Sequence, residues 1–153
     1  MKFSKLSIIS MLICAIFIVS GCNSKPASAP KPEPEAPEKV ARKILEYQSY
    51  QQWQQLYKYI HPDTQKLMTE QEFIQMQESN MPSFEIVEIK DAILLDSWTD
   101  RKGNGKTYRD VAELPFTLNE NIMGQQQAYK ASMHLVKDSE GLWKYFSDIP
   151  SKK

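Results

Sequence analysis

The sequence predicts an α+β fold, with helices first and a run of antiparallel strands after them. Three observations carry this. Apolar residues recur at helical spacing up to about residue 79, and from Phe84 onward the period drops to two. Polar, glycine-bearing segments at 100–106, 119–124 and 138–141 then punctuate the second half as hairpin turns. Helices followed by sequential strands pack as helices on one face of an antiparallel sheet.

Taken in order, Pro37 suits the first turn of a helix because its fixed φ matches and its missing N–H is not needed there. Val40, Ala41, Ile44, Leu45 and Gln48 follow at helical spacing. Ser49 and Gln52 have the spacing of a capping box, which predicts a second helix from about Tyr50, with Trp53, Leu56, Tyr57 and Ile60 as its apolar stripe. His61-Pro62 ends it, because the residue before proline avoids the α region. Thr69-Glu70-Gln71-Glu72 is a second capping box, placing Phe73, Ile74 and Met76 on a third helix, and Asn80-Met81-Pro82 closes the helical half.

Phe84 to Leu95 reads as one strand rich in Ile, Val and Leu. In the next, Tyr108, Asp110, Ala112, Leu114 and Phe116 share one face by alternation. Tyr129, Ala131, Met133 and Leu135 then alternate with Lys130, Ser132 and His134, and Trp143, Tyr145 and Ser147 continue the pattern after the last turn.

Ahead of this domain lie two segments of other character. Lys2 and Lys5 precede a run from Leu6 to Val19 that is apolar apart from Ser7 and Ser10, too short for a spanning helix of about 20 residues and suited to a cleavable signal. It ends Val19-Ser20-Gly21-Cys22, which resembles the lipobox of bacterial lipoproteins. The resemblance implies that residues 1–21 are removed, that Cys22 is the lipid attachment site, and that the protein is held outside the cytoplasm on a membrane by acyl chains. Residues 23–37, NSKPASAPKPEPEAP, have little to bury and form a semi-extended tether of up to roughly 45 Å. The folded domain is then 38–153.

Composition narrows the partners. The chain has 19 basic and 19 acidic residues; removing Lys2 and Lys5 leaves 17 against 19. A near-neutral surface predicts no nucleic acid, whose binders carry a basic excess. Of two cysteines, Cys14 lies in the leader and Cys22 would be acylated, so no disulfide or thiolate site is expected. No cofactor or metal site is expected either, since His61 and His134 stand far apart and outside any ligating motif.

The order of elements over 38–153 resembles the nuclear transport factor 2-like superfamily. The segments carrying the resemblance are Tyr50-Gln-Gln-Trp53-Gln-Gln-Leu56-Tyr57-Lys-Tyr-Ile60-His61-Pro62 and Thr69-Glu-Gln-Glu72-Phe73. The chain is similar in particular to small extracytoplasmic lipoproteins and to the N-terminal domain of some penicillin-binding proteins. The resemblance implies a cone, with helices in the concave face of a curved sheet. It implies no single function, because the fold hosts isomerases, dehydratases and non-catalytic modules alike.

Within such a cone the candidate pocket residues are Tyr57, Asp110, Tyr129 and Trp143. An inward Asp110 in apolar surroundings would have a raised pKa and could move a proton, with Tyr129 or Tyr145 donating to a developing oxyanion. His134 shares the parity of Lys130 and Ser132 and is expected to face outward, while His61 is expected to cap helix carbonyls. Without a recognisable catalytic constellation, the expected function is a non-catalytic binding or accessory module at the cell envelope, for an envelope protein or a small ligand. The alternative is an isomerase- or dehydratase-like enzyme using Asp110.

Overall fold

Local chemistry sets the helical half. The computed structural model describes residues 34–79, 84–122 and 124–147; the leader, Cys22, most of the tether and Asn80-Met81-Pro82 lie outside them. Helix α1 spans Pro37–Ser49 with Pro37 in its first turn, and it buries Val40, Ala41, Ile44 and Leu45. It does not hand over to α2 through a capping box. The Ser49 hydroxyl instead donates to the Glu46 carbonyl (3.0 Å), and the chain turns through Gln51 in the left-handed region (φ 55°) before α2, Trp53–Tyr57.

A short α3, Pro62–Gln65, follows where the sequence predicted only an end. Pro62 ends one segment and opens the next, as proline can at a first turn. His61 caps it, but through an amide and not a carbonyl: its Nδ1 accepts from the Asp63 N–H at 3.1 Å. Helix α4, Glu70–Ser79, carries the expected reciprocal cap, since Glu72 Oε2 accepts from the Thr69 N–H (2.8 Å) and Thr69 Oγ1 from the Glu72 N–H (3.3 Å). Phe73 buries itself from this helix.

The strand half is one five-stranded antiparallel sheet. Strands β1 (Phe84–Ile89) and β2 (Ile93–Thr99) both pair with the long β3 (Thr107–Ile122), β1 against 116–120 and β2 against 107–113. β4 (Gln125–Lys137) pairs with β3 over 112–122, and β5 (Trp143–Tyr145) lies beyond β4. Because 112, 113 and 116–120 of β3 also pair with β4, β1 and β2 must lie end to end along its other edge.

The single strand predicted over 84–95 is therefore broken. At the break Lys90 N–H donates to the Pro115 carbonyl, and Ala92 N–H donates to Glu38 Oε1 at 2.9 Å, so a carboxylate of α1 satisfies an amide the ladder leaves free. The turn predicted at 119–124 is shorter, with pairing that runs to Ile122↔Gln125 and Gly124 N–H closing onto Asn121 Oδ1. At the far side β5 is gripped twice: His61 N–H donates to the Tyr145 carbonyl and Tyr145 N–H to the Tyr59 carbonyl.

One apolar core joins the halves. Ile44, Leu56 and Phe73 from the helices meet Ala112, Leu114, Leu135 and Tyr145 from the sheet. Successive residues Leu135 and Val136 point to opposite faces, yet both are buried, as are Val111 and Ala112. This end of the sheet is thus covered on both sides.

Asp110 does not point inward as expected. It adopts φ 53°, which breaks the alternation between Tyr108 and Ala112, and its side chain is exposed. Aspartate tolerates the left-handed region better than most residues, so the strand kinks there without glycine.

Candidate functional site

The site begins where α1 crosses the sheet. Its helical wall is Ile44, Leu45 and Gln48; Phe116, Met133 and Tyr145 form the floor; the end of β2 and the loop after it, Ser97–Lys102, form the rim with Ser132, His134, Phe146 and Ser147. The volume of this open pocket is about 860 Å³, at the upper part of the usual range for small-molecule sites.

Stacked rings form one side. The Trp98 indole lies flat on His134 (centroids 4.5 Å, 14°), and Phe146 bridges Trp98 (5.2 Å) to His61 (4.6 Å, 22°). Tyr108 completes the cluster against His61 and Phe146. His134, expected to face outward, is therefore half-buried under the Trp98 ring. Burial pushes its pKa down, with Glu113 opposing. The Glu113 carboxylate stands 4.0 Å from His134 Nε2, beyond hydrogen-bond reach, and accepts instead from the Ser132 hydroxyl at 2.8 Å. His134 is thus a neutral ring at neutral pH.

The rim is built on Asp100, which is 4% exposed. Its two carboxylate oxygens accept from the N–H groups of Gly103 and Asn104, each at 3.0 Å. A Cβ on Gly103 would collide with that carboxylate. Gly103→Ala is accordingly expected to dislodge Asp100 and lower stability by about 1–3 kcal/mol, as for a buried charged acceptor losing its donors. Urea unfolding of the variant checks this.

Asp63 ties the rim to α3. Its Oδ1 accepts from Lys66 (2.8 Å), and its Oδ2 from Lys106 (3.1 Å) and the Tyr108 hydroxyl (2.9 Å). Hydrogen bonds from Lys66 and Lys106 hold its carboxyl well below the usual carboxylate range, while Tyr108 is pushed up to about 12, chiefly by burial. The unfolded chain takes up this proton at higher pH than the folded one. The contribution of Asp63 is therefore present above about pH 4 and is lost as pH falls below it. Asp63→Asn should remove that part of the acid sensitivity, read as a flatter melting temperature between neutral and acid pH.

Tyr145 is the feature of the floor that stands out. It is 6% exposed, and its hydroxyl oxygen is sealed from solvent beside Ser147. Burial pushes the phenol far above its ordinary value, with Ser147 opposing.

None of the four residues picked out from sequence lines this pocket. Tyr57 is a strut: its hydroxyl donates to the Met68 carbonyl (2.9 Å) and its ring packs on Phe73. Trp143 is buried under Lys137, whose ammonium lies 4.8 Å from its ring. Tyr129 is 51% exposed, on the stretch of β4 that runs past β5. Asp110 is exposed at its kink. Trp98, His134 and Phe146 come together only through the sheet, although the aromatic at 98 and the alternation around 134 were visible as residues. Among the described residues no three His, Cys, Asp or Glu side chains converge as metal ligands, and no helix is long and apolar enough to cross a membrane.

No protein-family model matches the sequence, and neither does any curated protein.

Proposed function

We propose that this is a lipid-anchored protein of the cell envelope whose folded domain is a non-catalytic, nuclear transport factor 2-like module that binds a small ligand between α1 and the sheet. Anchoring rests on the leader and Cys22, and stand-off from the membrane on the proline-rich tether. The cone-like reading draws support from helices gathered on a sheet whose edge breaks at residues 90–92, beside α1.

The observation that carries the binding role is the 860 Å³ pocket with an apolar floor and an aromatic wall. Binding is favoured over turnover because the carboxylate in the lining, Asp100, is held by backbone amides on both oxygens, and Asp110 stands outside. N-phenyl-1-naphthylamine, a neutral apolar dye, tests the reading. It should brighten on the purified domain, and Met133→Trp, which fills the cavity, should abolish the signal while thermal unfolding stays cooperative. Equal brightening in the variant, or none in either, would contradict the pocket.

A further inference from the structure

His61 is the point at which α3, β3 and the segment after β5 meet. It is buried, and two rings pack on its own: Phe146 stacks on its face (centroids 4.6 Å, 22°), and Tyr108 stands edge to it (5.2 Å, 68°). Its Nδ1 accepts from the Asp63 N–H at 3.1 Å, so that nitrogen holds a lone pair and the ring proton sits on Nε2. This bond is the side-chain cap of α3, whose Thr64 and Gln65 N–H groups donate to the His61 carbonyl. Asp63 in turn accepts from the Tyr108 hydroxyl (2.9 Å), which closes a triangle of His61, Asp63 and Tyr108.

A proton added at Nδ1 would set two donors face to face. The ring can relieve this only by turning Nδ1 away from the amide, and Phe146 and Tyr108 occupy its flanks. Cap and ring cluster therefore give way together, and Phe146 belongs to the pocket wall. Charge around His61 is divided. Asp63 on α3 and Asp138 in the turn before β5 favour the proton; Lys66 after α3 and Lys106 ahead of β3 oppose it, and burial opposes it most. Tyr108 is pushed up to about 12 and stays neutral. His134, reached through Phe146 and Trp98 and facing Glu113, is the other imidazole of the cluster.

We propose that His61 is an acid-sensitive latch: a proton at Nδ1 uncaps α3 and loosens the Tyr108–Phe146 side of the pocket. The wall is there without a ligand, so this does not rest on the binding reading above. Because the fold disfavours the proton, the unfolded chain takes it up first as pH falls below about 6.5. The contribution of His61 is full above that pH and declines below it, before the Asp63 carboxyl titrates.

Carbon-13 NMR of the His61 ring, combined with amide hydrogen exchange on the purified protein between about pH 7.5 and 4.5, tests this. As the ring takes up its proton, protection at the Asp63, Thr64 and Gln65 amides, corrected for the intrinsic rate, is expected to fall about tenfold, the scale of one lost cap. The Val111 and Leu114 amides of β3 should keep theirs. His61→Asn leaves Asp63 an acceptor that does not titrate, so the loss should vanish there. In His134→Gln it should persist.

A His61 ring that titrates with no change at α3 would overturn the proposal, as would one that takes up no proton before the whole chain unfolds. So would an equal loss in His61→Asn, or a loss abolished by His134→Gln. Should His61→Asn fail to fold, the wild-type comparison of ring and amides decides alone.

Discussion

Cys22→Ala is expected to move the protein out of the membrane fraction or to leave it as uncleaved precursor, and to abolish labelling by radioactive palmitate. The effect should be large because, on the proposed reading, one thiol would carry the whole anchor. The only other cysteine, Cys14, lies in the apolar segment proposed to be removed, and the rest of the chain has no basic excess with which to hold an anionic surface. A single acyl chain gives marginal, reversible attachment, and stable anchoring takes a second signal. A diacylglyceryl group on Cys22 would supply more than one chain at a single site. Cell fractionation with labelling decides it. Normal processing, labelling and membrane retention in the variant would refute the anchor.

Phe73→Ala is expected to lower the unfolding free energy by about 3–5 kcal/mol, the usual range for a large aromatic lost from a core. Phe73 is fully buried at 0% exposure and packs its ring against Tyr57, with centroids 5.7 Å apart. It is the buried residue of α4, so its loss uncouples that helix from α2. In denaturant the midpoint should fall sharply with little change of slope. A cost below about 1 kcal/mol would mean that α4 is not integral to the core.

Two local signals in the sequence proved sound. Pro37 opens α1 and Thr69 with Glu72 caps α4, because each needs only residues within a turn of itself. The glycine-bearing loop after β2 and the turn before β5 also fall where alternation stops. What was not legible depends on distant partners. The break between β1 and β2 is held by Glu38, 54 residues away from Ala92. Alternation carried Asp110 to the wrong side because a single left-handed residue resets the parity of a strand, and aspartate does not advertise it as glycine would.

The pocket suffered most from this. Period-two reasoning from Ala112 and Leu135 found the core face, and Tyr145 was recognised as a possible donor. The wall was invisible, however, because Trp98, His134 and Phe146 belong to three different segments brought together by pairing. Ser49 failed for a related reason: its hydroxyl found the carbonyl behind it before it could serve the helix ahead.

The most direct test of the account is a nitrogen-15 NMR titration of the folded domain, residues 38–153, with N-phenyl-1-naphthylamine. The account predicts saturable shifts at the Trp98 indole N–H and at the amides of Met133, His134 and Tyr145, all absent in Met133→Trp. Shifts confined to exposed positions such as Leu94 and Tyr129, or shifts that persist unchanged in the filled variant, would contradict it.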